Sequence, residues 1–225
     1  MSRASAAAAG AAAAAFAALA ALVAAGSLTG LDQWTVDHVM QGAAVGKPTF
    51  ADAVVPLLGE NWHGALHIVS ILVTIPASFT PALLVTAAAC ARLRGRAAVA
   101  LAVGFVAGNV IEVVVKGTLT RPALHAGGVH LAGFDASFPS GHTIRTVLVV
   151  LAVAWAWPRL AWWAVAWAPA SITLLVVGGR HVPSDIAGGL LVTAMVVATS
   201  RSWRFGAAWR SRRPSPAGRP SAREP

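Results

Sequence analysis

Apolar residues fall in six long runs, at roughly 5–27, 64–90, 97–116, 141–157, 161–178 and 185–200, and short polar segments separate them. Each run is near the length a helix needs to cross about 30 Å of hydrocarbon. The pattern predicts an all-α, polytopic membrane protein with six transmembrane helices. The second run carries Pro76 and Pro81, which should kink or break it, because proline removes a backbone donor and clashes with the preceding turn. The first run follows Arg3 and resembles a secretory signal, but it exceeds the apolar stretch of about 7–15 residues that such signals carry. It reads as an uncleaved first span. Cleavage near Ala25 would leave the rest of the topology unchanged.

Charge sets the orientation. Arg3, then Arg92, Arg94 and Arg96, then Arg159, then Arg201, Arg204, Arg210, Arg212 and Arg213 fall on one side of an alternating six-span path. Asp32, Asp37, Asp52, Glu60, Asp135 and Asp185 fall on the other. Basic loops stay in the cytoplasm, so both termini are predicted to be cytoplasmic. Residues 1–200 form the membrane domain on this reading. Residues 201–225, rich in Pro, Ser and Arg, form a disordered basic cytoplasmic tail.

Composition agrees with the pattern. The chain is 57% hydrophobic and 11% charged, against about 25% charged in a soluble domain. The net charge of +9 does not point to nucleic acid, because the basic residues sit in topology-setting segments and the tail. A lone cysteine, Cys90, excludes an intrachain disulfide, and no cysteine-based metal site is visible. Gly104 and Gly108 have the G-x-x-x-G spacing that lets membrane helices approach closely. Trp155, Trp157, Trp162, Trp163 and Trp167 flank Pro158, and those nearest the turn suit an interfacial anchor.

The polar residues that remain collect on the predicted external side. Lys116 and Arg121 follow the third run in "EVVVKGTLTRP"; Ser140, Gly141 and His142 open the fourth in "FPSGHTIRT"; Arg180, His181 and Asp185 precede or open the sixth in "GGRHVPSDIAGG". Ser140 is placed as an N-cap, and Gly141 lets a ligand approach the backbone. The free amides and positive dipole of a helix start attract phosphate or sulfate. Lys116 and Arg121 add fixed positive charge. His181 and Asp185 are four residues apart, so the carboxylate can fix one imidazole nitrogen and leave the other as a nucleophile. His142 is suited to give a proton to a leaving oxygen. Against these stand plainer readings. Lys116 pairs with Glu112 one turn earlier, and Arg145 either faces the site or pairs with Asp135. His38, His63, His67, His125 and His130 have no such company.

These residues resemble the type 2 phosphatidic acid phosphatase superfamily of membrane lipid phosphatases, in its bacterial branch, whose blocks are K-x6-R-P, P-S-G-H and S-R-x5-H-x3-D. The resemblance spans about 116 to 185, with P-S-G-H at 139–142 and H-x3-D at His181 and Asp185. It implies His181 as a nucleophile forming a phosphohistidine, Asp185 orienting it and His142 as general acid. Ser140, Gly141 and Lys116 would hold phosphate, with no metal and no cofactor. Two blocks depart from the pattern. Ala123 stands where the first-block arginine belongs, with Arg121 two residues earlier; Leu174 and Leu175 replace the third-block Ser-Arg pair, with Arg180 the nearest substitute.

The expected activity is hydrolysis of a lipid-linked phosphate monoester or pyrophosphate at the external face of a bacterial plasma membrane. Polyprenyl pyrophosphate, phosphatidylglycerophosphate, phosphatidic acid or a polyprenyl-phosphosugar phosphate would be the substrate, with the bilayer as a further partner and no nucleic acid. Two alternatives stay open: a phosphotransferase using the same phosphohistidine, and a non-catalytic protein that binds lipid phosphate. A transporter is disfavoured because the ionisable groups collect at one interface and not at the bilayer midplane. The segment 30–62 is a candidate for admitting the lipid.

Overall fold

A computed structural model describes residues 3–40 and 69–208, with side chains described as far as 199. The fold is almost entirely helical. In chain order the helices are α1 (Arg3–Ala24), α2 (Thr29–His38), α3 (Val69–Ala77), α4 (Phe79–Arg92), α5 (Arg96–Thr118), α6 (Gly141–Ala156), α7 (Ala161–Val177) and α8 (Pro183–Ala208). A two-residue hairpin, β1 (His125–Ala126) and β2 (Val129–His130), lies between α5 and α6.

Helices α1 and α5, and the stretch Pro158–Val177 containing α7, are long and apolar enough to cross a membrane, and the α3–α4 pair makes a fourth if counted as one span. Helix α6 and the apolar part of α8, Pro183–Thr199, are shorter. The α3–α4 pair bends by 43°, and the break falls between the two prolines. Pro76 occupies the start of a 3-10 turn, and Pro81 sits in the first turn of α4, where a missing N–H costs nothing. The expected second run began at 64; residues 64–68 lie outside the described residues, as do most of segment 30–62 and tail residues 209–225. Helix α8 runs on past the expected boundary at 200, as far as Ala208.

Burial is inverted as a membrane setting requires. On α5, Val99, Val103, Val106, Val110 and Val113 recur every three or four residues and are exposed, whereas Leu101, Gly104, Phe105, Gly108, Asn109 and Glu112 face inward. The core joins Phe105 of α5 and Ala82 of α4 to Ile144, Leu148 and Val149 of α6 and to Val192 and Val196 of α8. Gly108 is one reason they fit: a Cβ there would stand 2.9 Å from the Ile144 side chain. Helix α1 packs along α8, and Phe16 stacks on Phe138 at 5.7 Å. Trp162 and Trp163 are exposed and stacked beside the α6–α7 turn. Trp167 instead donates a hydrogen bond to the carbonyl of Val73.

The bundle has two chemically distinct ends. At one, Arg92 Nε donates to the carbonyl of Ala156, tying the end of α4 to the end of α6 at 2.7 Å, with Arg94, Arg96 and Arg159 close by in sequence. At the other, α5 ends while α6 and α8 begin. A small cap covers this second end. Helix α1 stops in a Schellman turn, with Ser27 N–H on Leu22 O and Gly26 N–H on Val23 O. Gly26 has φ +75°, a value that favours glycine. The turn lays α2 against the hairpin, where Gln33 bonds both the N–H and the C=O of His125. Val36, Met40, Leu124, Leu131, Phe134 and Val182 close a separate apolar cluster under this cap.

Candidate active site

Three helix ends deliver the site. Ser140 caps α6 by accepting from Thr143 N–H at 3.2 Å and from the Thr143 hydroxyl at 3.0 Å. Its own N–H donates to the carbonyl of Asp185 at 3.0 Å, which joins the starts of α6 and α8 directly. Gly189 makes the approach possible, because a Cβ there would come within 2.7 Å of the Ser140 carbonyl oxygen.

His181 precedes α8 and Asp185 lies in its first turn. The His181 Nδ1–H donates to Asp185 Oδ2 at 3.2 Å, which directs Nε2 away from the carboxylate as a free lone pair. The same oxygen accepts from Val182 N–H at 3.3 Å. His142, second residue of α6, stands opposite with ring centroids 5.8 Å apart. Arg145, Arg180 and Lys116 are its cationic neighbours. Arg180 is half-buried, and its burial pulls the guanidinium pKa below its ordinary value. The expected convergence of Lys116, His142, Arg180, His181 and Asp185 is therefore present in space.

Other expectations change in detail. Arg121, expected to hold phosphate, places Nη1 on Asp185 Oδ1 at 3.0 Å and Nη2 on Asp32 Oδ2 at 2.7 Å, with its side chain 2% exposed. Both terminal nitrogens are committed to carboxylates because two acids flank the buried guanidinium. Of the two readings of Arg145, pairing with Asp135 is not seen; it lies beside His142 at the site, where its Nη1 donates to Glu112 at 2.7 Å and Asn109 at 2.9 Å. Its Nε donates to the carbonyl of Ala77, which the α3–α4 break leaves without a helical partner. Asp135 instead pairs with His130 at 2.9 Å, with both side chains about half exposed. Lys116 donates to Glu112 at 2.7 Å, as the plainer reading expected. Leu175, in the place of the third-block arginine, is fully buried, and its carbonyl accepts from the N–H groups of Arg180 and His181.

Two acids have roles at the site that the sequence did not assign them. Glu112 bridges Lys116 and Arg145, and its carboxylate lies against Gly141, where any Cβ would overlap it. Its i, i+4 spacing to Lys116 was a signal; its second partner, 33 residues on, was not. Asp32 is fully buried and accepts from Ser184 Oγ at 2.6 Å and Ser184 N–H at 3.2 Å. Those partners lie 152 residues away, beyond the reach of any motif.

The family model of the PAP2 superfamily matches residues 95–209, from the start of α5 to just past α8. The chain belongs to the PAP2 superfamily. No match was found among curated proteins or among solved structures. Membership, with apolar helices of membrane-spanning length, makes this a membrane-associated PAP2 protein with phosphatase or phosphotransferase chemistry on phosphate esters. The matched stretch contains every site residue named so far except Asp32 and the Ala77 carbonyl.

Proposed function

We propose that this PAP2 protein is a metal-independent phosphatase of a lipid-linked phosphate monoester or pyrophosphate, working through a phosphohistidine on His181 at the external face of a bacterial plasma membrane. The observation that carries the reading is the pairing of His181 with Asp185 directly across from His142, among Lys116, Arg145 and Arg180. A site that only bound phosphate would not need an imidazole with one nitrogen fixed by a carboxylate and the other free.

In the first half-reaction His181 Nε2 attacks phosphorus, an N–P bond forms, and the P–O bond to the lipid breaks. His142 gives its proton to the departing oxygen. Asp185, holding Nδ1–H, stabilises the positive charge that develops on the phosphorylated ring. In the second half water attacks phosphorus, His142 takes back a proton, and the N–P bond breaks to release inorganic phosphate. With a pyrophosphate the bond broken is the anhydride, and the lipid monophosphate leaves. Lys116, Arg180 and the first amides of α6 balance the charge on the five-coordinate phosphorus. Ser140 uses its oxygen as a cap acceptor, so its proton is the part left for phosphate. Arg145, buried beside His142, and Arg180 share the place of the third-block arginine.

The six-span path, with both termini cytoplasmic, supports the external placement. The site occupies one end of the bundle, and Arg92, Arg94, Arg96 and Arg159 gather at the other. Residues 1–200 are then the membrane domain and the residues beyond it a basic tail. The test is phosphate release by detergent-purified protein from lipid monophosphates and pyrophosphates, with EDTA present. Release that persists in EDTA and vanishes in His181→Ala is expected. Phosphate passed to an acceptor without free phosphate would favour a transferase, and no turnover on any lipid would overturn the phosphatase reading.

A further inference from the structure

We infer that Asp32 is a positioning residue for the nucleophile, acting through Arg121 and Asp185; the inference rests on the reading of His181 above. Asp32 comes from α2, outside the residues the family model matches. It is nonetheless the end of a continuous buried chain: Asp32 Oδ2 to Arg121 Nη2 at 2.7 Å, Arg121 Nη1 to Asp185 Oδ1 at 3.0 Å, and Asp185 Oδ2 to His181 Nδ1 at 3.2 Å. The Asp32 and Asp185 residues have no exposed surface.

Charge explains why a second acid is needed. Arg121 and Asp185 alone would cancel, leaving little negative charge for the imidazolium that forms when His181 is phosphorylated. Asp32 neutralises Arg121 and so restores the charge of Asp185 to His181. In a buried site of low effective dielectric this difference is felt strongly. Geometry points the same way. The planar guanidinium keeps one arm on each carboxylate. Without Asp32 the released Nη2 arm is free to turn onto Asp185 as a bidentate fork, the arrangement arginine favours, and to compete with His181 Nδ1–H for Oδ2. Stability alone is a weak reason for such a chain, because buried ion pairs often do no better than apolar packing.

A merely structural role is the rival, since Asp32 also holds Ser184 at the start of α8. The test uses the full chain in detergent with Asp32→Asn, which keeps shape and removes charge. The expected result is a fall in kcat of about 10- to 100-fold, taking as guide the cost of losing an outer hydrogen-bond partner of a metal-ligating histidine, with KM changed less than about threefold. Asp32→Asn should add nothing to Asp185→Asn, because both act on one imidazole. Nitrogen-15 NMR of labelled histidines, with His181 assigned by its loss in His181→Gln, should show the Nδ1–H tautomer in the wild type and a mixture in Asp32→Asn. Arg121→Lys keeps the charge but loses the two-armed link and should give the same split, so the inference stays testable if Asp32→Asn does not fold. A wild-type kcat and unchanged tautomer in Asp32→Asn would overturn the inference, as would additive losses with Asp185→Asn or a raised KM alone in Arg121→Lys. If the wild type released no phosphate from any lipid, the phosphatase reading would fall while the tautomer measurement still decided the role of Asp32.

Discussion

Gly141→Ala probes the packing that builds the phosphate cradle. The glycine opens α6, and any Cβ at this position would overlap the carboxylate of Glu112. Alanine therefore expels that carboxylate from its place between Lys116 and Arg145. Lys116, with a quarter of its side chain exposed, can follow it outward, but Arg145 is buried and keeps only Asn109 and the Ala77 carbonyl. Breaking a buried pair costs about 3–5 kcal/mol, and the better helix propensity of alanine returns up to about 1 kcal/mol. The retained partners of Arg145 place the net loss near the lower end, at about 2–3 kcal/mol. For a chain of this size that corresponds to a fall in Tm of roughly 4–12 °C. Thermal unfolding in detergent, followed by tryptophan fluorescence, measures it. In a Glu112→Ala background the carboxylate that supplies the three nearest atoms is gone, and the same substitution should change Tm by less than about 2 °C, or raise it slightly. Equal losses in both backgrounds, or a wild-type Tm for Gly141→Ala alone, would show that the Glu112 carboxylate does not depend on the space above Gly141.

Three further substitutions follow from the same contacts. Ser140→Ala removes the cap of α6 and leaves the Thr143 hydroxyl and N–H without their acceptor, so a loss of about 1–2 kcal/mol is expected in denaturant or thermal unfolding. Gly189→Ala drives a Cβ into the Ser140 carbonyl and the Thr143 side chain; an overpacking loss of about 1–3 kcal/mol should appear in the same assay, together with lowered phosphate release. His142→Ala should slow hydrolysis of an alkyl phosphate by about 100-fold or more. In a single turnover it should slow the first release of p-nitrophenolate far less, because that leaving group needs no proton; equal slowing of leaving-group departure from both substrates would remove His142 from the acid role.

Much of this site was legible in the sequence because its chemistry is local. The pair His181–Asp185 obeys helical spacing, the Ser140 cap follows a proline, and Lys116–Glu112 is an i, i+4 contact. The convergence of the three groups followed from helix alternation alone. What the sequence concealed depends on contacts between distant segments. Arg121, expected to hold phosphate, links two carboxylates because Asp32 folds over it, and the Gly26 turn, the docking of Gln33 on the hairpin and the packing of Val36 bring α2 there. Arg145 found Glu112 and a carbonyl released at the α3–α4 break, neither of which any spacing announces. The prolines signalled that break, but not that the freed carbonyl would be used.

The proposed mechanism stands on phosphorylation of His181. Protein mixed briefly with a lipid pyrophosphate or monophosphate, quenched in alkali and digested, can be read by mass spectrometry for a phosphoryl group. The account predicts an alkali-stable, acid-labile phosphoryl on the peptide carrying His181, at higher occupancy in His142→Ala if loss of the general base slows hydrolysis more than formation, and absent in His181→Asn. Turnover without any such adduct, or an adduct on His142 in its place, would contradict it.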